Sequence, residues 1–210
     1  MLDRSFWKNK KVLITGHTGL KGAWLTMLML DLGAEVSGVS LPLSAKNPLF
    51  TLCNLQEKIC NHFEGDIIDE DFLKDVVTKI RPNIVFHLAA QALVRDSYDD
   101  PSRTFKTNIV GTVNLLNVLR EQDELECIIS VTSDKCYENL EHIWPYRETD
   151  RLGGKDPYSA SKACAELVTF SMWHSFFQNT KAKIFTVRAG NVIGGGDWAK
   201  DRILTDIVTA

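Results

Sequence analysis

The residues best placed to do chemistry are Tyr158 and Lys162, in the run Tyr158-Ser159-Ala160-Ser161-Lys162. If a helix begins near Pro157, the four-position spacing puts phenol and ammonium on one face, one turn apart. Proline suits a first helical turn, and the two serines suit it as well. A neighbouring positive charge favours the phenolate, so such a tyrosine can take a proton from a hydroxyl near neutral pH. The same spacing also occurs on solvated helix faces that do nothing. The pair gains meaning from the elements that would position it and from what else they carry.

The chain places Lys11 to Thr15, a β-branched apolar run typical of a buried parallel strand, directly before Gly16-His17-Thr18-Gly19-Leu20-Lys21-Gly22. An apolar helical stretch, Ala23 to Leu32, follows, with Gly33 as its C-terminal stop and Ala34 to Val39 as a second strand. Strand, glycine-rich turn, helix and strand in this order form a dinucleotide-binding unit. Gly16 makes the tight turn, Gly19 lets a pyrophosphate approach the backbone, and Gly22 lets the helix pack on the sheet. The helix N-terminus then offers N–H groups and a positive dipole end to the phosphates. The acidic residue that ordinarily ends the second strand and holds the adenosine ribose of NAD is absent. Ser40-Leu41-Pro42 stands there, with Lys46 a little further on. NAD is the first expectation, and NADP stays open.

Further along, His62 to Ile67 reads as a third strand, and Asp69 to Lys79 as an amphipathic helix with Phe72, Leu73, Val76 and Val77 inward. Asn83 to Gln91 reads as a fourth strand and a small-residue turn. His87, inside that apolar strand, reads as a satisfied core residue rather than a catalyst. A turn at Tyr98–Pro101 leads into a long helix from Ser102 to Arg120, with Phe105, Ile109, Val113, Leu116 and Leu119 at helical spacing. Cys127 to Ser133 is a fifth strand. The helix from Tyr158 runs to about Gln178 with Leu167, Phe170, Trp173 and Phe177 on its apolar face, and Ala182 to Arg188 is a sixth strand. The expected fold is α/β: a Rossmann-like, doubly wound parallel sheet of strand order 3-2-1-4-5-6 over residues 1–188. Residues 189–210 would begin a smaller C-terminal substrate lobe.

Composition narrows the function. The chain has 210 residues, 44% hydrophobic and 24% charged, with a net charge of −3. That balance leaves no electrostatic footprint for nucleic acid or an anionic membrane. No apolar run reaches the length of a membrane span, and the first residues lack the apolar core of a signal peptide. The five cysteines form no C-x-x-C pair, which argues against a disulfide framework and against a metal knuckle. Cytoplasm is the plain reading.

The G-x-x-G-x-x-G spacing resembles the extended branch of the short-chain dehydrogenase/reductase superfamily, and the resemblance runs over nearly the whole chain. It implies that Gly16, His17, Thr18, Gly19, Leu20, Gly22, Asp66, Ile67, Leu88, Ala89, Ala90 and Thr107 lie toward the cofactor, together with Tyr158 and Lys162. For Asp66 a turn or cap role stays open, and Asn108 beside Thr107 can be structural. The resemblance makes the Thr132 hydroxyl the third member of a triad with Tyr158 and Lys162.

Thr132-Ser133-Asp134-Lys135-Cys136-Tyr137-Glu138-Asn139 is similar to CDP-glucose 4,6-dehydratases, as are the glycine turn before it and Arg188 to Arg202 after it. This implies proton-transfer roles for Asp134 and Lys135, which otherwise read as a solvated turn. It implies CDP-D-glucose as the small-molecule substrate and contacts to it from Gln91, Asn191, Asp197 and Arg202. The last two also fit a surface ion pair. His142, Trp144, Tyr146 and Arg147 line a substrate mouth or simply pack at the surface. A homodimer built on the long helices is expected by analogy. Family members continue well beyond the equivalent of Ala210, so the chain is expected to be a fragment. A 4-epimerase, a dehydratase of another nucleotide-sugar and a non-catalytic dinucleotide-binding module remain rival readings.

Overall fold

A computed structural model describes residues 3–43, 48–198 and 206–208. Five short segments carrying β-branched residues become the strands β1 (Lys11–Thr15), β2 (Glu35–Ser40), β4 (Ile84–His87), β5 (Cys127–Val131) and β6 (Lys183–Val187), and the more polar Asn61–Glu64 becomes β3. They form one parallel sheet of order β3-β2-β1-β4-β5-β6, as expected. Parallel neighbours need crossovers, and helices α1 (Arg4–Trp7), α2 (Leu20–Asp31), α3 (Pro48–Leu52), α4 (Glu70–Ile80), α5 (Val94–Asp99), α6 (Pro101–Phe105), α7 (Gly111–Leu119) and α8 (Pro157–Met172) supply most of them.

Adjacent residues of β1 face opposite sides of the sheet, and each side has its own core. Leu13 joins Val39, Leu73, Val76, Leu115, Leu119 and Phe177 under α4, α7 and α8. Val12 and Ile14 join Ala23, Met29, Val36, Phe50 and Leu55 under α2 and α3. The middle strands are therefore apolar on both faces, as parallel strands must be when helices cover both.

Helix starts are written by aspartates. Asp69, Asp100 and Asp156 each accept a backbone N–H of the first turn, at 3.0, 2.9 and 2.9 Å. The last two precede prolines at the first helical position. Each such cap contributes about 1 kcal/mol.

Three expectations change. The segment before Pro101 is the helix α5, and the break is confined to Asp100. Helices α6 and α7 are joined through a π turn at Lys106–Val110, which shifts the helical phase. As a result Phe105 and Val113 face outward, each 36% exposed. On α8, Leu167 and Phe170 also face outward, at 57% and 62% exposure, while Phe177, in the π turn Trp173–Phe177 that follows it, is buried.

Candidate active site

The carboxyl ends of the strands bring two groups of residues to one edge of the sheet, where open α/β folds hold ligands. The first group is the glycine turn after β1. Gly16 has φ +73°, and a Cβ there would lie 2.8 Å from the Ala89 nitrogen. A Cβ on Gly22 would lie 2.1 Å from the Gly16 carbonyl oxygen. Turn, α2 and the Leu88–Ala90 loop are thus in backbone contact. Gly19 is the N-cap of α2, and no side chain caps that end. The first-turn N–H groups of a twelve-residue helix are left to a ligand, which fits a dinucleotide pyrophosphate.

His17 and Thr18, expected on the cofactor side, are buried in the turn. The His17 ring lies over Gly38, so its side chain faces the sheet, and burial lowers its pKa to about 4. Leu20 opens α2 and is half-buried. Asp66 accepts the Ile68 N–H at 3.0 Å, which is a turn role, and the Ile67 side chain packs in the core against Gly111. Lys46 lies outside the described residues.

The second group gathers at the end of β5. Tyr158 and Lys162 sit on the buried face of α8, as their spacing requires. The Lys162 ammonium donates to the Val131 carbonyl at 3.3 Å. Burial lowers its pKa to about 8, and the charge of Lys21 adds to this while Glu166 opposes it. Ser133, Asp134 and Lys135 follow β5 on a short 3-10 turn against α8, and Asp134 and Lys135 are exposed.

Thr132, expected to face the substrate, is buried at the end of β5. Its hydroxyl donates a very short hydrogen bond to the Glu166 carboxylate and is committed there. Ser133 is the neighbouring hydroxyl. It accepts the Lys135 N–H at 3.2 Å and donates to Asp134 at 3.2 Å. In extended chain one residue changes the face, so Thr132 and Ser133 cannot both look into the site.

Glu166 belongs to a buried ion pair that sequence reasoning missed. Arg188 grips its carboxylate with two hydrogen bonds of 2.9 Å, and its guanidinium lies 4.7 Å from the ring centroid of Tyr137. Burial alone would raise the Glu166 pKa, but the bonds from Arg188 and Thr132 outweigh it and the carboxyl stays below its ordinary value. Tyr137 stacks on Tyr146, which touches His142, which stacks on Trp144. The aromatic residues of the 139–155 loop therefore brace the Asp134–Lys135 turn from outside. The missed signal was the spacing Tyr158, Lys162, Glu166, which puts all three on one stripe of α8.

The floor of the site is a relay of neutral groups. The Ala89 N–H donates to the Thr15 hydroxyl at 3.2 Å, and that hydroxyl lies 2.7 Å from His87 Nδ1. His87 Nε2 lies 3.1 Å from the Thr112 hydroxyl, which donates to the Asn108 carbonyl at 2.7 Å. Since Thr112 spends its proton on Asn108, His87 must donate from Nε2 and accept at Nδ1. Burial, with the charge of Lys162, takes the His87 pKa to about 3. His87 is a core residue, as read from the sequence.

The Asn108 side chain is fully used, between Gln91 N–H and C=O and the Ser161 hydroxyl. Gln91 was expected to face a substrate. Its amide is instead committed to Leu93 and to the Thr104 hydroxyl, so it braces the loop after β4. Thr107 lies half-buried in the π turn. Asn191 is exposed, and Asp197 is described with Trp198 at the end of the loop that follows β6. Trp24 donates to the Gly195 carbonyl at 3.1 Å, so this loop crosses to α2. Arg202 lies outside the described residues.

Comparison with known proteins gives these features a family. The family model described as GDP-mannose 4,6 dehydratase matches residues 13–191. A CDP-glucose 4,6-dehydratase of Salmonella typhimurium is 46% identical over 99% of this chain and 59% of its own length. A CDP-paratose 2-epimerase of Salmonella typhi is 31% identical over 90% of this chain and 59% of its own length. The chain thus spans about three fifths of these curated relatives. Among solved structures, a UDP-glucose 4-epimerase of Thermotoga maritima with UDP-glucose superposes with TM-score 0.75 at 27% identity, covering 87% of this chain and 56% of that one. A dTDP-glucose 4,6-dehydratase of Streptomyces venezuelae shares the fold, with TM-score 0.82 at 21% identity over 94% of this chain and 61% of that one. From the glycine turn to the end of β6, the chain belongs to the GDP-mannose 4,6 dehydratase family, in the extended short-chain dehydrogenase/reductase superfamily.

Proposed function

We propose that this chain is the dinucleotide-binding part of a nucleotide-sugar 4,6-dehydratase that converts CDP-D-glucose to CDP-4-dehydro-6-deoxy-D-glucose and water. The observation that carries the reading is the gathering of Ser133, Asp134, Lys135, Tyr158 and Lys162 at one strand end, in a chain 46% identical to a CDP-glucose 4,6-dehydratase. NAD, bound on the glycine turn, would supply the acceptor for hydride from C4 and return that hydride to C6.

Tyr158 takes the proton of the C4 hydroxyl, and Lys162 stabilises the phenolate with its charge. The Ser133 hydroxyl would turn from Asp134 to donate to the C4 oxygen, the role the resemblance gives to Thr132. A ketone at C4 acidifies the C5 proton, which Lys135 removes. Asp134 protonates the leaving C6 hydroxyl, and Lys135 returns its proton to C5. The net change is loss of water. Asn191 and Asp197 lie toward the sugar nucleotide, with Arg202 beyond the described residues. Residues 189–210 then lead into a substrate lobe.

We place this activity in the cytoplasm. All five cysteines are free, and no helix among the described residues is long and apolar enough to cross a membrane. Phe105, Val110 and Val113 on the α6–α7 segment are large apolar residues left at the surface. That exposure supports a homodimer built on the long helices.

The test is mass spectrometry of the products after incubating the full gene product with CDP-glucose, dTDP-glucose and GDP-mannose in parallel, NAD present. Loss of one water from CDP-glucose alone is expected. Unchanged mass in all three with NAD bound would overturn the reading in favour of an epimerase or a binding module. Loss of water from another sugar alone would move the assignment to that nucleotide. Lys135→Ala is expected to abolish solvent-deuterium incorporation at C5, and full incorporation would remove Lys135 from its role.

A further inference from the structure

Strand β2 ends in Ser40, where a dinucleotide-binding unit of NAD type ordinarily carries a carboxylate for the adenosine ribose. The register of the neighbouring strand fills this gap. Ser37 pairs with Asn61, Gly38 with His62 and Ser40 with Glu64. Partners in this register touch through their side chains, as the Asn61 amide shows by donating to the Ser37 hydroxyl at 3.1 Å. Glu64 therefore stands beside Ser40 on the same face of the sheet, one strand over, and its side chain is 48% exposed.

That face is the one the glycine turn covers. His17, between Gly16 and Gly19, lays its ring on Gly38, where a Cβ would come within 2.2 Å of the imidazole. His17 Nε2 lies 2.7 Å from His62 Nδ1, and His62 Nε2 lies 3.4 Å from a Glu64 carboxylate oxygen. Phe50 of α3 closes the pair from the side, with centroids 5.1 Å from His17 and 5.6 Å from His62. A line of side chains thus runs from inside the phosphate-binding turn to the Glu64 carboxylate. The carboxylate is thus linked to the turn through side-chain contacts, as binding the pyrophosphate and the ribose of one ligand requires.

We propose that Glu64 is the residue that selects NAD over NADP, supplying from β3 the carboxylate that β2 lacks. The inference rests on the dinucleotide reading of the turn. A carboxylate here accepts from the ribose hydroxyls of NAD and repels the 2′-phosphate of NADP. The Ser40 hydroxyl donates to the Leu41 carbonyl at 3.0 Å, so its proton is already spent.

Isothermal titration calorimetry of NAD and of NADP into the chain, with and without Glu64→Gln, tests the assignment. The wild-type chain is expected to bind NAD at least about tenfold more tightly, and Glu64→Gln to cut that ratio at least about fivefold, mainly by raising NADP affinity. Glu64→Asp keeps the charge and is expected to keep a preference for NAD. Thermal unfolding confirms that the variants are folded, as a half-exposed site predicts. NAD binding with an unchanged ratio in Glu64→Gln would overturn the role of Glu64 and leave the dinucleotide reading standing. A wild-type preference for NADP would also overturn it. If the folded chain binds neither dinucleotide, the dinucleotide reading fails and the assignment falls with it.

Discussion

The glycine turn after β1 and the β5–α8–β6 junction lie on the same edge of one sheet, yet they are built by opposite means. The turn is shaped by side chains that are missing: Gly16 and Gly22 let three backbone segments touch. The junction is shaped by buried and part-buried side chains: Glu166 binds Arg188 and Thr132, and Lys162 donates to the Val131 carbonyl. The difference follows from what each must do. A phosphate has a fixed shape and charge, and backbone N–H groups suffice to hold it. Proton transfer needs groups poised between two charge states, and only surroundings of set charge and polarity can poise them.

If the turn is held by contact alone, filling it must be ruinous whatever the added chemistry. Gly22→Ala is expected to cost more than about 4 kcal/mol in urea unfolding, a large share of the roughly 5–15 kcal/mol that holds an ordinary domain. A cost under about 1 kcal/mol would show that the turn has room and would blur the contrast. The junction should break by charge instead. Glu166→Leu leaves Arg188 without its carboxylate and is expected to cost about 3 kcal/mol by the same measurement. Glu166→Gln, which keeps the shape and loses the charge, should recover little of that.

Lys162 sharpens the comparison because it burdens the fold. Its folded pKa of about 8 lies below the ordinary 10.5, so the folded state resists its charge. Lys162→Met is expected to stabilise the protein by roughly 2–3 kcal/mol at pH 7, while abolishing turnover. The unfolded chain holds the lysine proton more tightly, so wild-type stability rises with pH between about 8 and 10.5. The advantage of the variant is therefore full below pH 8 and shrinks across that window. Equal stability of the two proteins from pH 7 to 10 would refute the burden. The smallest effect is expected at Gly19, where a Cβ would meet only the Gly16 carbonyl oxygen, at 3.4 Å. Gly19→Ala should change stability by under about 1 kcal/mol, yet weaken dinucleotide binding at least about tenfold by standing where the phosphate approaches.

The same contrast decides what the sequence could reveal. The turn was legible because its constraint is local, three glycines between a strand and a helix. Strand order followed from the alternation of strands and helices, and Tyr158 with Lys162 from helical spacing. The supports of the junction were not legible in the same way. Glu166 and Arg188 meet across twenty-two positions, and nothing near Arg188 announces its partner. Thr132 was placed in the site and Ser133 left out because a strand end turns its side chains by one residue, a step no composition records. Phe105, Val113, Leu167 and Phe170 fall at helical spacing with buried neighbours, but periodicity identifies an apolar face without saying what covers it. The π turn at Lys106–Val110 then moved the phase of the first two.

The relay through His87 gives the fold a built-in spectroscopic reporter. Each donor in it has one acceptor, so the imidazole holds a single tautomer and its Nε2 proton lies away from solvent. Such a proton exchanges slowly and resonates well downfield in a proton spectrum. Its signal depends on β1, β4 and the start of α7 being in place together. One resonance would thus report, without any ligand or substrate, whether the floor of the site has assembled.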